Sequence, residues 1–135
     1  MSLQFSEAVR NARLDAIEVE IGATAIMRIY SGSAPALPSD AATGTLLAEL
    51  TLPSDWMAAA SAGSKAKSGT WSDLTADATG TAGYFRVLDS TGTDTGIQGS
   101  ITDTAGAGPL KLSSTAVVSG EPVTIATFTL TDGNA

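Results

Sequence analysis

The apolar and polar positions of the first twenty residues follow a helical period. In the stretch SLQFSEAVRNARLDAIEVEIG, Ser6 stands before Glu7 as a candidate N-cap, with the acidic residue in the first turn. We therefore predict a short N-terminal helix over residues 7–18. The segment IEVEI, residues 17–21, also alternates with a period of two, so a strand beginning there is the alternative for the end of the helix.

This helix carries two apolar stripes on nearly opposite sides. The first stripe consists of Phe5, Val9, Ala12, Ala16 and Val19. The second stripe consists of Leu14, Ile17 and Ile21. A surface helix normally buries one stripe and exposes the other side to water. We assign the first stripe to the protein's own sheet and the second to a neighbour, so Leu14, Ile17 and Ile21 form the candidate interface. Enclosure of both stripes within one domain is the alternative.

The rest of the chain alternates short apolar runs with turns rich in Gly, Ser and Thr. The strand candidates are residues 23–30, 45–52, 83–89, 97–102, 110–112 and 121–132. Residues 83–89 and 97–102 are predicted to form a hairpin, with Phe85, Val87, Ile97 and Ile101 in the core. The last strand changes its apolar phase, which predicts a bulge near Ala126–Thr127 or burial on both faces.

These elements predict one mainly β domain spanning residues 1–135. Short strands separated by turns are typical of a β-sandwich, here of jelly-roll or immunoglobulin-like type over residues 23–132, with the helix packed on it.

Charge and composition argue against several classes of partner and of functional site. The 135 residues carry a net charge of -7, and the seven basic residues are scattered, which argues against nucleic acid and anionic membranes as partners. The chain has no Cys and no His, which excludes disulfides, thiol catalysis and metal sites built on those side chains. It also has no run of 18 apolar residues and no secretory signal pattern, so we expect synthesis in a cytoplasm.

Few residues suggest a catalytic or ligand-binding role. Trp56, Trp71 and Tyr84 are candidate surface aromatics for stacking on sugars, although core positions are the commoner role. Asp89 and Asp94 flank a glycine turn but lack the spacing of a calcium loop, and turn formation explains them better. Lys65 lies in a Ser/Gly-rich stretch and is expected to be solvated. We therefore predict no catalytic, cofactor-binding or metal-binding residues and no enzymatic activity.

Four stretches together resemble a family of small virion structural proteins from tailed bacteriophages. They are AVRNARLDAI at 8–17, MRIYSGSAP at 27–35 with ATGTLLAELTL at 42–52, ATGTAGYFRVLDSTG at 78–92, and LSSTAVVSGEPVTIATFTLT at 112–131. The resemblance implies a non-enzymatic, homo-oligomeric capsid decoration or stabilising protein. It would be made in the host bacterial cytoplasm and bind other virion proteins such as the major capsid protein. A tail or tail-fibre component and a carbohydrate-binding module on the virion surface are the alternatives.

Overall fold

The computed structural model describes residues 3–133. The predicted domain also includes residues 1–2 and 134–135, which lie outside the described residues. Within residues 3–133 the chain forms one helix, α1 (Glu7–Ile21), and nine strands. The strands are β1 (Ile26–Ser31), β2 (Leu46–Thr51), β3 (Ser64–Ala66), β4 (Ser72–Asp73), β5 (Gly80–Leu88), β6 (Thr95–Asp103), β7 (Leu110–Leu112), β8 (Ala116–Val117) and β9 (Val123–Thr131). The fold is mainly β with an N-terminal helix, as predicted.

The strands form one curled sheet in the order β2-β1-β5-β6-β7-β9-β3. Neighbours along this path are antiparallel except β6 and β7, which are parallel. The short strand β4 pairs with β9, and its Asp73 accepts a hydrogen bond of 3.2 Å from the Glu49 N–H of β2. The two ends of the sheet therefore approach each other around a common core, which gives the fold its sandwich-like form.

Aromatic side chains fill the core of the curled sheet. Trp56, Trp71, Phe85 and Phe128 are all fully buried. Their rings lie in a chain of contacts, with centroid separations of 6.0 Å for Trp56–Trp71, 5.4 Å for Trp71–Phe128 and 5.3 Å for Phe85–Phe128. Tilted and edge-on ring pairs at such separations stabilise a core beyond the area that they bury.

The β5–β6 hairpin forms as predicted. Val87 pairs with Ile97 across the two strands. Phe85, Val87 and Ile101 are buried, and Ile97 packs against the core while partly exposed. The turn between the strands is held by Asp89, whose carboxylate accepts hydrogen bonds from Thr91 and from the Thr93 N–H. Asp89 therefore forms the turn, as the sequence indicated.

The register of the sheet shifts in four strand pairs, β1–β2, β1–β5, β5–β6 and β7–β9. In β9, Lys111 of β7 pairs with Thr127 and Leu112 pairs with Ile125, so Ala126 is the extra residue and the predicted bulge is confirmed. A second bulge lies in β5. Tyr30 of β1 pairs with Tyr84, whereas Ser31 pairs with Ala82, which leaves Gly83 as the extra residue. This second bulge is not predicted by the pattern of apolar residues in β5.

The helix is longer than predicted. Ser6 is its N-cap and accepts a 3.3 Å hydrogen bond from the Val9 N–H, as expected. The helix continues past Glu18 to Ile21, so residues 17–21 are helical and the strand alternative for this segment is wrong. At the C-terminus, the Gly22 N–H donates to the Glu18 carbonyl. Gly22 has a φ of 94°, a conformation that glycine adopts readily and that ends the helix.

Candidate functional site

A buried lysine attaches α1 to the sheet. Lys65 of β3 has a side chain that is only 2% exposed. Its Nζ lies 2.7 Å from Asp15 Oδ1, 2.9 Å from Glu18 Oε2 and 2.9 Å from the Ala58 carbonyl oxygen. An ammonium group has three protons, so each has an acceptor. We call Lys65, Asp15 and Glu18 the lysine clasp. The expectation that Lys65 is solvated is therefore wrong.

Polar side chains of α1 also bind the irregular segment that precedes β3. Asp15 accepts a hydrogen bond of 3.0 Å from the Ala60 N–H, and Glu18 accepts one of 3.3 Å from the Met57 N–H. Asn11 accepts one of 2.9 Å from the Gly63 N–H. Backbone groups in irregular chain need such acceptors when strands do not supply them. The position of α1 is therefore fixed by directional contacts as well as by apolar packing.

The second apolar stripe packs on the protein's own sheet. Leu14 is 2% exposed, and Ile17 and Ile21 are partly buried. A side chain added at Gly96 of β6 would lie 2.5 Å from Ile21 Cγ1, so Ile21 sits directly over the start of that strand. The prediction that Leu14 and Ile21 face a neighbour is therefore wrong, because Leu14 is buried and Ile21 packs against the core. For Ile17, which is partly exposed, it stays a prediction. These residues share a side of the helix with the clasp carboxylates, and the clasp holds that side against the sheet.

The first apolar stripe faces solvent instead. Val19 is 81% exposed, Val9 44% and Phe5 39%, and both Ala12 and Ala16 are exposed. We call Phe5, Val9, Ala12, Ala16 and Val19 the outer stripe. Its four members within α1, from Val9 to Val19, are separated by intervals of 3, 4 and 3 residues, whereas Phe5 lies before the N-cap. Alternation of three and four is the spacing of the a and d positions that meet in a coiled coil.

Arg13 borders the outer stripe and restrains its N-terminal end. The Arg13 guanidinium lies 4.9 Å from the centroid of the Phe5 ring. Its Nε also lies 3.1 Å from the Asp132 carboxylate, just beyond β9. A cation over an aromatic face is attracted to the ring. Through Arg13, Phe5 is therefore held against the helix, and the helix is joined to the end of the last strand. These contacts restrain the N-terminal end of the outer stripe.

The candidate surface aromatics are buried, so their proposed role in stacking on sugars is wrong. Trp56 and Trp71 belong to the core cluster, and their indole N–H groups donate to the Gly22 and Ser68 carbonyl oxygens at 2.9 Å and 3.1 Å. Tyr84 is 1% exposed and stacks on Tyr30 at a centroid separation of 5.0 Å. Its hydroxyl accepts from the Thr43 N–H at 2.9 Å.

Removing one carboxylate of the clasp should destabilise the protein. In Glu18→Ala, Lys65 stays buried with only the more exposed Asp15 to balance its charge, and the Met57 N–H loses its acceptor. We expect the free energy of unfolding to fall by about 2–3 kcal/mol. Urea unfolding of the variant measures this change. The same substitution in a Lys65→Met background should cost clearly less, and an equal cost in both backgrounds would contradict the clasp.

Attachment of the helix should weaken in acid. The pKa of Asp15 lies below its ordinary value because its carboxylate accepts hydrogen bonds from Lys65 and from the Ala60 N–H. A group with a lowered folded-state pKa stabilises the protein above its unfolded pKa, here about 3.9. This contribution is lost as the pH falls through that value toward the folded-state pKa. We expect the Trp56 indole resonance, which reports on the bond to Gly22, to shift in this acidic range.

Asp15→Asn is the control for this titration. The variant has no carboxyl at position 15, so the part of the Trp56 shift caused by Asp15 should disappear. An unchanged pH profile in Asp15→Asn would show that another group controls helix attachment.

At alkaline pH the state of Lys65 decides whether the clasp holds. Burial lowers the pKa of Lys65, but its hydrogen bonds to Asp15 and Glu18 outweigh this effect and raise the pKa above its ordinary value. The clasp should therefore persist to above about pH 10.

Within residues 3–133 we searched for metal-ligand clusters and for membrane-spanning helices. No group of three or more His, Cys, Asp or Glu side chains in residues 3–133 is arranged to hold a metal ion. Over the same residues, no helix is both long enough and apolar enough to cross a membrane. Comparisons of the chain with family models, curated proteins and solved structures gave no significant match.

Proposed function

We propose that this protein is a non-enzymatic structural component of a tailed-phage virion whose copies associate through the outer stripe of α1. The observation that carries the proposal is a firmly attached helix whose coiled-coil-spaced stripe faces solvent. Exposed apolar side chains that lie together on one surface commonly mark an interface. Its two β-branched members, Val9 and Val19, are both exposed.

The occupant of the outer stripe is the same stripe of a second copy. The 3-4-3 spacing of its helical members matches the seam of a helix that packs against a similar helix. Ala12 and Ala16 at its centre allow two helix backbones to approach closely. The seam is shorter than the roughly three to four heptads typical of independent coiled coils. Association through it alone is therefore weak, and neighbouring copies held on a virion surface would strengthen it through high local concentration.

Placement on a virion rests on the resemblance of the four sequence stretches. Within that class we favour capsid decoration or stabilisation, with the major capsid protein as the second partner and the virion as the location. A tail or tail-fibre role uses the same outer stripe and remains the second candidate. The carbohydrate-binding alternative loses its support in Trp56, Trp71 and Tyr84, since all three are buried. We assign neither nucleic acid nor membrane as a partner, because the net charge is -7.

Self-association should be lost when charge is placed in the outer stripe. Val9→Glu with Val19→Glu puts two like charges in each copy where two stripes meet, and glutamate is compatible with a helix. Sedimentation velocity at increasing concentration should show oligomers for the unmodified protein and monomers for the variant. Leu74→Glu with Val118→Glu is the matched control, because both side chains are exposed and apolar but lie outside α1. Equal association of both variants would contradict the proposed interface.

Location on the particle tests the rest of the proposal. Electron microscopy of gold-labelled virions, from a phage that encodes this chain, should show label distributed over the head. Label confined to the tail would support the second candidate. Absence of the chain from purified particles would overturn the virion assignment. It would not affect the conclusion on self-association, which the sedimentation experiment tests separately.

A further inference from the structure

A row of polar side chains crosses the face of the sheet that points away from the aromatic core. It consists of Glu49, Arg28, Arg86 and Gln98, which lie opposite one another on β2, β1, β5 and β6. Arg28 Nε donates to Glu49 Oε2 at 2.8 Å, and Arg86 Nε donates to Gln98 Oε1 at 3.0 Å. Arg28 and Arg86 are thus direct cross-strand neighbours, an arrangement in which like charges repel.

The segment of residues 32–45 lies over this row. Gln98 Nε2 donates to the Pro35 carbonyl at 2.8 Å, and Tyr84 exchanges hydrogen bonds with the backbone of Thr43. Between residues 37–42 of this segment and residues 92–95 of the β5–β6 turn is a cavity of about 760 Å³. Both arginines line it. We call this space the arginine cavity.

Arg86 is a buried cation without an acidic partner. The residue is 5% exposed, and its Nη2 has no hydrogen-bond partner. The salt bridges of residues 3–133 do not include Arg86. Lys65, the other buried cation, has two carboxylates and a carbonyl around it. A buried charge normally requires such compensation, and an orphaned donor indicates a missing acceptor such as a bound ion or ligand.

We propose that the arginine cavity binds a hydroxylated carboxylate, such as a sugar acid. The ligand carboxylate lies beside Arg28 and Arg86, whose guanidinium groups supply charge-assisted hydrogen bonding. Asp40 and Asp94 also line the cavity. Their carboxylates can accept hydrogen bonds from ligand hydroxyls but would repel a compact dianion such as phosphate. This inference is independent of the outer stripe and of the proposed virion role.

The test uses the side-chain Nε–H resonances of the four arginines in the intact protein. D-glucuronate should shift the Arg86 and Arg28 resonances in a saturable way, whereas Arg10 and Arg13 should not move. D-glucose, which lacks the carboxylate, should have no effect, and sodium chloride at matched ionic strength controls for screening. No shift with glucuronate, or equal shifts of all four arginines, would overturn the proposal. A response to inorganic phosphate alone would overturn the ligand class.

Substitution of the arginines provides the second readout. Arg86→Gln should weaken glucuronate binding in calorimetry by about tenfold to a hundredfold, the value of a charged hydrogen bond. Should that buried substitution prevent folding, Arg28→Gln replaces a more exposed member of the pair and should weaken binding in the same direction. Lys111→Gln is the control, because it removes one positive charge outside the cavity. Equal binding by Arg28→Gln and Lys111→Gln would contradict the assignment.

Discussion

Phe85→Ala should lower the free energy of unfolding by about 3–5 kcal/mol. The Phe85 ring is fully buried, and it meets Phe128 edge-on and lies over Gly99, where an added Cβ would be 2.9 Å from its Cε1. Truncation leaves a cavity between two strands of the central hairpin, whose backbones are paired on both sides and cannot collapse into it. Natural domains are stable by only about 5–15 kcal/mol, so this is a large fraction of the total.

Urea unfolding followed by tryptophan fluorescence measures this effect, because Trp71 contacts Phe128 in the same cluster. Val118→Ala is the control, since that side chain is 51% exposed and its truncation creates no cavity. The control should change stability by less than about 0.5 kcal/mol. A cost under about 1 kcal/mol for Phe85→Ala would mean that the ring does not fill the core as described.

Gly83→Ala should have an effect of similar size, on the order of 4 kcal/mol. Gly83 is the bulged residue of β5, where the end of β1 crosses closely. A Cβ at this position would lie 1.8 Å from the Gly32 carbonyl oxygen, and the atoms it meets are backbone atoms that no rotamer change can move. Relief requires the chain at Gly32, the residue directly after β1, to move away from β5.

Gly133→Ala is the matched control for this substitution. A Cβ at Gly133 would have no atom within 4 Å, and its backbone φ is not positive. The same methyl group should therefore change the urea midpoint little. Similar midpoints for Gly83→Ala and Gly133→Ala would show that Gly32 does not approach β5 as closely as described.

Local patterns in the sequence predicted most of the sheet. The β5–β6 hairpin followed from two apolar runs around a glycine turn, and the bulge at Ala126 followed from a change of apolar phase in β9. The bulge at Gly83 is not marked by a change of apolar phase in β5. It allows the backbone at Gly32, directly after β1, to approach closely. Helix formation was also visible locally, but the strand-like alternation of residues 17–21 concealed the last turn of α1.

The orientation of α1 could not be read from its own residues. With two apolar stripes of similar size, either side of α1 could pack on the sheet. The contact of Asp15 with Lys65, 50 residues away in the chain, determines which side does so. Asp15 and Glu18 are three residues apart, so they share a helix face and can meet one cation. This pair was the available signal, and Lys65 was misassigned because its Ser/Gly-rich surroundings suggested a solvated segment. Arg86 was missed similarly, because cross-strand register determines its neighbours.

Cross-linking at the centre of the outer stripe tests the assembly claim most directly. The chain contains no cysteine, so Ala12→Cys carries a unique thiol at the middle of the stripe. Under mild oxidation, association through the stripe should convert this variant rapidly into disulfide-linked dimers. Ala105→Cys places the same thiol on the exposed turn between β6 and β7 and should remain largely monomeric. Equal dimer yields from the two variants, or none from Ala12→Cys, would contradict assembly through α1.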